Sequence, residues 1–303
     1  MQNTQYILMI RPVHFGYNAE TAVNNTFQVE TNDEGVQEKA LQEFDALSLL
    51  LKKNGVDITV VNDTPDPHTP DSIFPNNWIS FHEDGKVIFY PMYAENRRRE
   101  RKPGVLNAIT GKFTIKEETD LTRFEKDNFF LEGTGSMVLD RENKIAYACL
   151  SPRTDKKILN IFCEITAYEP VIFNAVDSFG NKIYHTNVMM CVGDTFVVIC
   201  LDSIHNPDER STVESAIKNS GKDIIPISMD QMNHFAGNML QLQNNQQEKI
   251  LVMSSQAYQS LSPQQVSLLE KKGRIIHSPI DTIEKNGGGS ARCMIAEIFL
   301  PIK

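Results

Sequence analysis

A supersecondary pattern recurs about five times along this chain, and the recurrence limits the folds open to it more than any other feature. Each copy opens on a loop of small or polar residues, then runs through a short apolar strand, a polar turn and a second apolar strand. A helix and a third short strand follow. The first hairpin covers 76–81 and 86–90, turning at Asp84-Gly85. The second copy opens at Glu132-Gly133-Thr134-Gly135-Ser136, with strands at 137–139 and 145–150, a helix near 154–164 and a strand at 170–173. The third opens at His185-Thr186-Asn187, with strands at 188–192 and 195–201, a helix near 207–219 and a strand near 223–227. The fourth opens at Ala236-Gly237-Asn238, with strands at 239–242 and 249–253, a helix near 263–271 and a strand at 274–277. With Asn77, Ser136, Asn187, Asn238 and Cys293 as equivalent points, the spacings are 59, 51, 51 and 55 residues. A structural unit of about 50 residues repeated in this way signals a closed architecture.

The fifth copy opens at Asn286-Gly287-Gly288-Gly289-Ser290-Ala291-Arg292-Cys293 and enters an apolar, strand-like run at 294–300. Its missing parts have to come from the other end of the chain. A strand is expected at 6–10, and a helix at 36–53 with Leu41, Phe44, Leu47, Leu50 and Leu51 at helical spacing. That helix stops at Asn54-Gly55, and a β-branched strand follows at 56–61. The expected fold is therefore α/β: a single five-bladed α/β propeller over residues 1–303, a ring closed by its own ends. Every opening loop then points to the same end of the ring, bringing Asp71, Asn77, Glu132, His185, Asn238 and Cys293 to one axial cleft. Three glycines in a row contribute no packing and cost backbone entropy, so they serve a tight turn and a close approach. The residue delivered past that turn is a cysteine, which suits a nucleophile offered to a cleft.

Of the 303 residues 41% are hydrophobic, ample for a sizeable core, and the net charge of −9 argues against nucleic acid or an anionic membrane as a main partner. No stretch approaches the roughly 18 apolar residues of a membrane helix, and residues 1–5 lack the marks of a signal peptide. Cys149, Cys163, Cys191, Cys200 and Cys293 show no CxxC spacing, and their number is odd, which argues against a disulfide framework or a zinc cage. His14, His68, His82, His205, His234 and His277 show no metal-ligand spacing either. A reduced, cytoplasmic protein needing neither metal nor cofactor is expected; a homo-oligomer is compatible with the sequence.

Pro70-Asp71-Ser72-Ile73-Phe74, Leu131-Glu132-Gly133, His185 at the head of a strand and Gly287-Gly288-Gly289 before Cys293 occur in an order and spacing that resemble the guanidino-group-modifying enzymes. These comprise the arginine deiminases, dimethylarginine dimethylaminohydrolases, agmatine deiminases, succinylarginine dihydrolase and the amidinotransferases, all five-bladed propellers. The resemblance covers essentially the whole chain. Phe74-Pro75-Asn76-Asn77-Trp78 and Tyr184-His185-Thr186-Asn187 are most similar to the citrulline-utilisation hydrolase branch, and the dimethylarginine enzymes are the nearest well-characterised template.

The resemblance implies that Cys293 is the nucleophile, since a guanidino or ureido carbon is a poor electrophile that calls for a thiolate. It implies that His185 protonates the departing amine and then activates water, and that Glu132 orients the imidazole. At the positions matching Asn77 and Asn187, arginine deiminases carry two carboxylates that grip the guanidinium. An amide both donates and accepts, which suits a neutral ureido group, so citrulline going to ornithine is the expected reaction. Asp71 matches an acidic substrate contact of the dimethylarginine enzymes and keeps arginine or methylarginine hydrolysis open, as is an amidinotransferase using an amine acceptor. Arg97 (or neighbouring Arg98) and Arg153 match the places that bind a substrate carboxylate, the rest of the 97–101 run being expected on a solvated helix face. Phe74 is expected to wall the substrate's methylene chain, and Trp78 to sit in the core. The contrasting alternative is a non-catalytic binding propeller, the architecture of the ribosome anti-association factor of archaea and eukaryotes. It predicts loss of the Cys, His and acid together, whereas all three are present.

Overall fold

The run Tyr6–Arg11 (β1) is apolar and buried through its centre, as a strand covered on both faces requires. In the computed structural model, which describes residues 1–30 and 35–303, the helix Val36–Lys53 follows. It buries Ala40, Phe44, Leu47 and Leu51 along one stripe. At its end Gly55 turns back with φ of 83°, where a side chain would be strained. β2 (Asp57–Asn62) then pairs parallel with β1, Ile7 opposite Ile58.

The next four units repeat one layout. They are β3 (Ile79–Phe81), β4 (Lys86–Phe89) and β5 (Glu117–Asp120), then β6 (Val138–Asp140), β7 (Ile145–Cys149) and β8 (Glu169–Phe173). β9 (Met190–Val192), β10 (Phe196–Ile199) and β11 (Asp223–Pro226) form the third unit; β12 (Leu240–Gln243), β13 (Lys249–Ser254) and β14 (Arg274–Ser278) form the fourth. In each, the first two strands are an antiparallel hairpin and the third runs parallel to the second. A parallel return needs a crossover, here the helices Pro103–Thr110, Lys156–Thr166, Pro207–Asn219 and Pro263–Glu270. β15 (Ala296–Glu297) pairs antiparallel with β1, so the fifth sheet has the order β15-β1-β2 and is built from both chain ends.

Five three-stranded sheets thus form the five-bladed α/β propeller. The first strand of each sheet lies innermost, β15 touching β3, and β9 touching both β6 and β12. The N-terminal residues tie these strands together. Gln2 Nε2 donates to the carbonyls of Leu139 at 3.0 Å and Val192 at 3.2 Å, and Gln2 Oε1 accepts from the Arg141 N–H at 2.7 Å. Among the described residues no helix is long and apolar enough to cross a membrane.

Two expected strands are shorter than their apolar runs. The run at 294–300 forms a strand only at Ala296–Glu297, starting late because the Cys293 and Ile295 N–H groups close turns onto Ser290 and Arg292, and the Ile298 N–H still reaches the Tyr6 carbonyl at 2.8 Å. The strand expected from residue 188 begins at Met190, since Thr186–Met189 forms one helical turn. The openings of the first and second units do the same, at Pro75–Asn77 and Gly133–Ser136. A single turn is too short to carry a helical period.

Candidate active site

The helix Asp281–Gly287 ends on Gly288, which takes the left-handed φ of 63° and donates its N–H to the Glu284 carbonyl. Gly287 and Gly289 let the Phe74 ring lie flush on the loop, since a Cβ on either would meet that ring at 2.8 Å or 3.0 Å. The chain then turns through Ser290–Cys293 and leaves Cys293 buried at the mouth of the ring. Burial pushes its thiol pKa up, against the Ser290 backbone hydrogen bond, Asn238, Arg292 and Asn187, which pull it down. All five cysteines are free.

Glu132 sits just before the one-turn helix Gly133–Ser136, its backbone N–H held by Ser136 Oγ at 2.8 Å. Its Oε2 lies 2.8 Å from His185 Nε2, and its Oε1 accepts the Tyr93 N–H at 3.0 Å. Burial works against the carboxylate, but Arg153, the His185 hydrogen bond and Arg97 overcome it and hold the pKa at about 2. Burial holds His185 down at about 4; Glu132 pulls it up, and Arg153 and Arg97 push it further down. At neutral pH the imidazole is therefore neutral and Glu132 charged, so Nε2 carries the proton toward Glu132 and Nδ1 is left as the base. A bare Gly135 makes this possible, because a Cβ there would sit 2.8 Å from Nδ1 and 2.4 Å from Asn77 Nδ2.

Around this pair lies a buried charge cluster. Arg97 is fully buried and forked onto Glu100 at 2.8 Å and 3.0 Å, with Asp71 at 3.8 Å and Glu132 at 3.9 Å. Arg153 lies 3.5 Å from Glu132. Burial raises Glu100 to about 7 despite Arg97, with Asp71 and Glu132 adding to the rise. Asp71 Oδ2 accepts from Asn18 at 2.8 Å and Thr21 at 3.1 Å, whereas its Oδ1 is buried with no partner. Asp71, Phe74, Asn77, Arg97, Arg153, His185 and Cys293 line one pocket together. Glu132 stands behind His185, and Asn187 Nδ2 lies 3.5 Å from Cys293 Sγ. All nine residues singled out in the sequence therefore come together. Of the 97–101 run, Arg97 turns inward on the 3₁₀ turn Asn96–Glu100, Arg99 is exposed, and Arg101 binds Glu125. Trp78 is core, stacked on Phe89.

Sequence reasoning missed the cover of this pocket. Asn18 and Thr21 hold Asp71; Arg153 donates to the Thr21 carbonyl at 2.6 Å and to Asn24 Oδ1 at 2.8 Å. Asn25 and Tyr184 both donate to the Gly288 carbonyl, at 3.3 Å and 2.5 Å, and Gln28 reaches the Asn286 carbonyl at 2.9 Å. The cavity left is about 10 Å³, no more than a water. The signal was an amide-rich, aperiodic stretch from Asn18 to Gln28. Glu100 was missed as the partner that makes a buried Arg97 tolerable. Among the described residues no group of His, Cys, Asp and Glu is placed to hold a metal.

With this geometry in place, comparison with known proteins decides the family: the sequence model of the eukaryotic N,N-dimethylarginine dimethylhydrolase family matches residues 11–300. The chain belongs to this family. Solved structures share its fold. ArgZ, an arginine dihydrolase from the ornithine-ammonia cycle in cyanobacteria, superposes with TM-score 0.77 at 19% identity over 98% of this chain. The chain spans 41% of full-length ArgZ but 99% of the ArgZ N-terminal domain solved with bound substrate, where TM-score is 0.76 and identity 20%. A dimethylarginine dimethylaminohydrolase mutant, solved as an adduct with S-methyl-L-thiocitrulline, matches with TM-score 0.67 at 15% identity, covering 98% of this chain and 100% of its own. No curated protein sequence matches the chain.

Proposed function

We propose that residues 1–303 act as one cysteine hydrolase domain, cleaving a non-peptide C–N bond of a guanidino amino acid, arginine or a methylarginine, to give citrulline. The observation that carries this reading is the unpartnered Asp71 Oδ1 in the pocket that also holds Cys293 and His185. A buried carboxylate oxygen without a donor is costly, and a guanidinium brings five N–H groups. Burial raises the pKa of Asp71 against Arg97, Asn18, Arg153 and Thr21, and a guanidinium seated on Oδ1 stabilises its charged form. A guanidinium beside Sγ also favours thiolate over thiol, offsetting the burial that raises Cys293. Membership of a family described as dimethylarginine hydrolases supports the substrate class.

In this reading His185 Nδ1 takes the Cys293 thiol proton as Sγ attacks the guanidino carbon, and the C–N bond breaks as the amine leaves with that same proton. His185 Nδ1 then takes a proton from water as it attacks the S-linked carbon, and the C–S bond breaks to release citrulline. Glu132 holds the imidazole throughout. Arg97 and Arg153 face the substrate's carboxylate from the pocket wall, and Phe74 flanks its methylene chain. The 10 Å³ cavity holds no amino acid, so the cover at 18–28 has to move for entry.

The second reading is citrulline hydrolysis to ornithine through a carbamoyl-thiol. Asn187 supports it, being an amide beside Sγ. Asn77 supports it less, because Arg97 Nη1 occupies its Oδ1 at 2.8 Å and its Nδ2 donates to Asn76. The test is incubation of the purified protein with arginine, methylarginine and citrulline separately, assaying ammonia, methylamines, citrulline and ornithine. Citrulline from arginine or methylarginine is expected; ornithine from citrulline alone establishes the second reading, and turnover of none overturns both. Cys293→Ser is expected to abolish turnover while leaving the unfolding midpoint unchanged.

A further inference from the structure

Three units of the ring open on an asparagine, at 77, 187 and 238, and the third is used differently from the other two. Asn238 is fully buried, just before β12. Its Oδ1 accepts the Arg292 N–H at 3.1 Å, and its Nδ2 donates to the Asn187 carbonyl at 2.8 Å. The second hydrogen of the same Nδ2 points to Cys293 Sγ at 3.2 Å. Swapping oxygen and nitrogen would set acceptor against acceptor at Asn187 and donor against donor at Arg292, so the two backbone groups alone orient the amide. The preceding Gly237 packs against the third unit so closely that a Cβ would meet the Val188 carbonyl at 2.3 Å, which leaves this turn no room to shift. Asn238 Oδ1 itself lies 3.6 Å from the sulfur, in reach of the S–H while the thiol is protonated. Among the described residues Asn187 has no such backbone anchors, its Nδ2 lying 3.5 Å and its Oδ1 3.9 Å from the sulfur.

We infer that Asn238 is a catalytic residue, a locked N–H donor on Cys293 Sγ that favours the thiolate and fixes the sulfur's direction of attack. A hydrogen bond from a neutral donor strengthens when its acceptor becomes an anion, so the contact favours ionisation of the thiol. It also places a dedicated donor on the sulfur while Asn187 remains able to turn to a substrate. The charged and titratable groups facing the sulfur are few. Arg292 shares its turn but is bound to the Ile295 carbonyl and Glu297; Tyr184 and His185 come from the third unit; Asp71, Arg97 and Arg153 lie across the pocket, with Glu132 behind His185.

The inference rests on Cys293 being the nucleophile, and its test needs no substrate. The pH dependence of Cys293 alkylation by iodoacetamide, read by mass spectrometry of the Cys293 peptide, is compared in wild type, Asn238→Ala and Asn238→Asp. The midpoint is expected to rise by about half a pH unit or more in Asn238→Ala, and by about one unit, a tenfold loss of thiolate, in Asn238→Asp. Turnover of whichever substrate the wild type accepts is expected to fall in kcat, with its pH profile displaced by the same amount and KM little changed. Should Asn238→Asp not fold, the alanine variant alone decides. Midpoints within 0.2 unit of wild type, with or without loss of kcat, overturn the inference and reduce Asn238 to a tie between Asn187 and Arg292. If the wild type turns over no guanidino or ureido compound, the proposed function fails while the alkylation profile still decides the role of Asn238.

Discussion

Adding one methyl group at Gly135 is a direct test of how the base is held. An ideal Cβ there lies 2.4 Å from Asn77 Nδ2 and 2.8 Å from His185 Nδ1, where ordinary contact begins at 3.4 Å. Asn77 has little freedom to yield, because Asn76 and Arg97 hold both ends of its amide and Glu100 holds Arg97. The imidazole is tethered on one side only, by Glu132, so the ring gives by about 0.6 Å. Overpacking of this kind costs about 1–3 kcal/mol. Part of it is offset by the roughly 0.4–1 kcal/mol gained when alanine replaces glycine at a backbone conformation that alanine can adopt. The net effect on stability is therefore small, a loss of about 0–2.5 kcal/mol, whereas the rate effect is large. A displacement approaching 1 Å in a reacting group costs about 100-fold, so Gly135→Ala is expected to lose tens-fold or more in kcat/KM. Gly104→Ala is the control: nothing lies within 4 Å of its Cβ, in the first turn of the helix Pro103–Thr110, and about 0.5–1 kcal/mol of added stability with unchanged rate is expected. Calorimetric Tm and steady-state kinetics on both variants make the comparison. A Gly135→Ala enzyme with wild-type kcat/KM refutes the argument that the bare Gly135 is what keeps His185 Nδ1 in its working position.

Glu132→Gln leaves Arg97 and Arg153 buried with less counter-charge, and leaves a single amide oxygen for the two donors, His185 Nε2–H and the Tyr93 N–H, that the carboxylate serves. A loss of about 3–5 kcal/mol in urea unfolding and of several powers of ten in kcat is expected; near wild-type kcat would remove Glu132 from the mechanism. Glu284, beside the glycine run, is held up at about 7 by burial, with Asp281 and Glu43 adding to the rise and Ser254 and Ser290 opposing it. Its folded pKa exceeds the unfolded value near 4.5, so the stability it contributes is present below that pH and lost as pH rises through 7. The loss amounts to about 3 kcal/mol at about 1.4 kcal/mol per unit. Glu284→Gln should remove this dependence, so the drop in urea midpoint from pH 5 to pH 8 should be smaller in the variant than in wild type; equal drops would sink the assignment.

How much of this was legible beforehand depends on how far each signal reaches along the chain. The helix Val36–Lys53 matches its expected limits, because it carries several turns of apolar period and an end signal at Asn54-Gly55, and the helix Pro207–Asn219 lies where one was expected near 207–219. The fifth sheet, sewn from both ends, followed from counting strands. The one-turn helices at Gly133–Ser136 and Thr186–Met189 have no room for a period and were read as loop or strand. Residues 18–28 were missed for a different reason. Their contacts are to Asp71, Arg153 and Gly288, long-range amide hydrogen bonds that leave no local pattern. Arg97 was legible as a site residue, but its fork onto Glu100 was not, since charged residues three apart on a short turn usually face water.

The blade assembled from both ends sets an order of events during synthesis. β1 is made before the other fourteen strands described, yet one edge of it stays open until Ala296–Glu297 arrives nearly 290 residues later. At about 5–20 residues per second the ribosome needs roughly 15–60 s to supply that partner. Closing so long a loop costs about 5 kcal/mol of chain entropy, which the last blade has to recover in one step. Throughout that interval Ile7 and Leu8 present an unpaired apolar edge, the kind that recruits strands from other chains. The blade that carries Cys293 is thus the last to close, and the nascent chain is most exposed to misassembly just before it does.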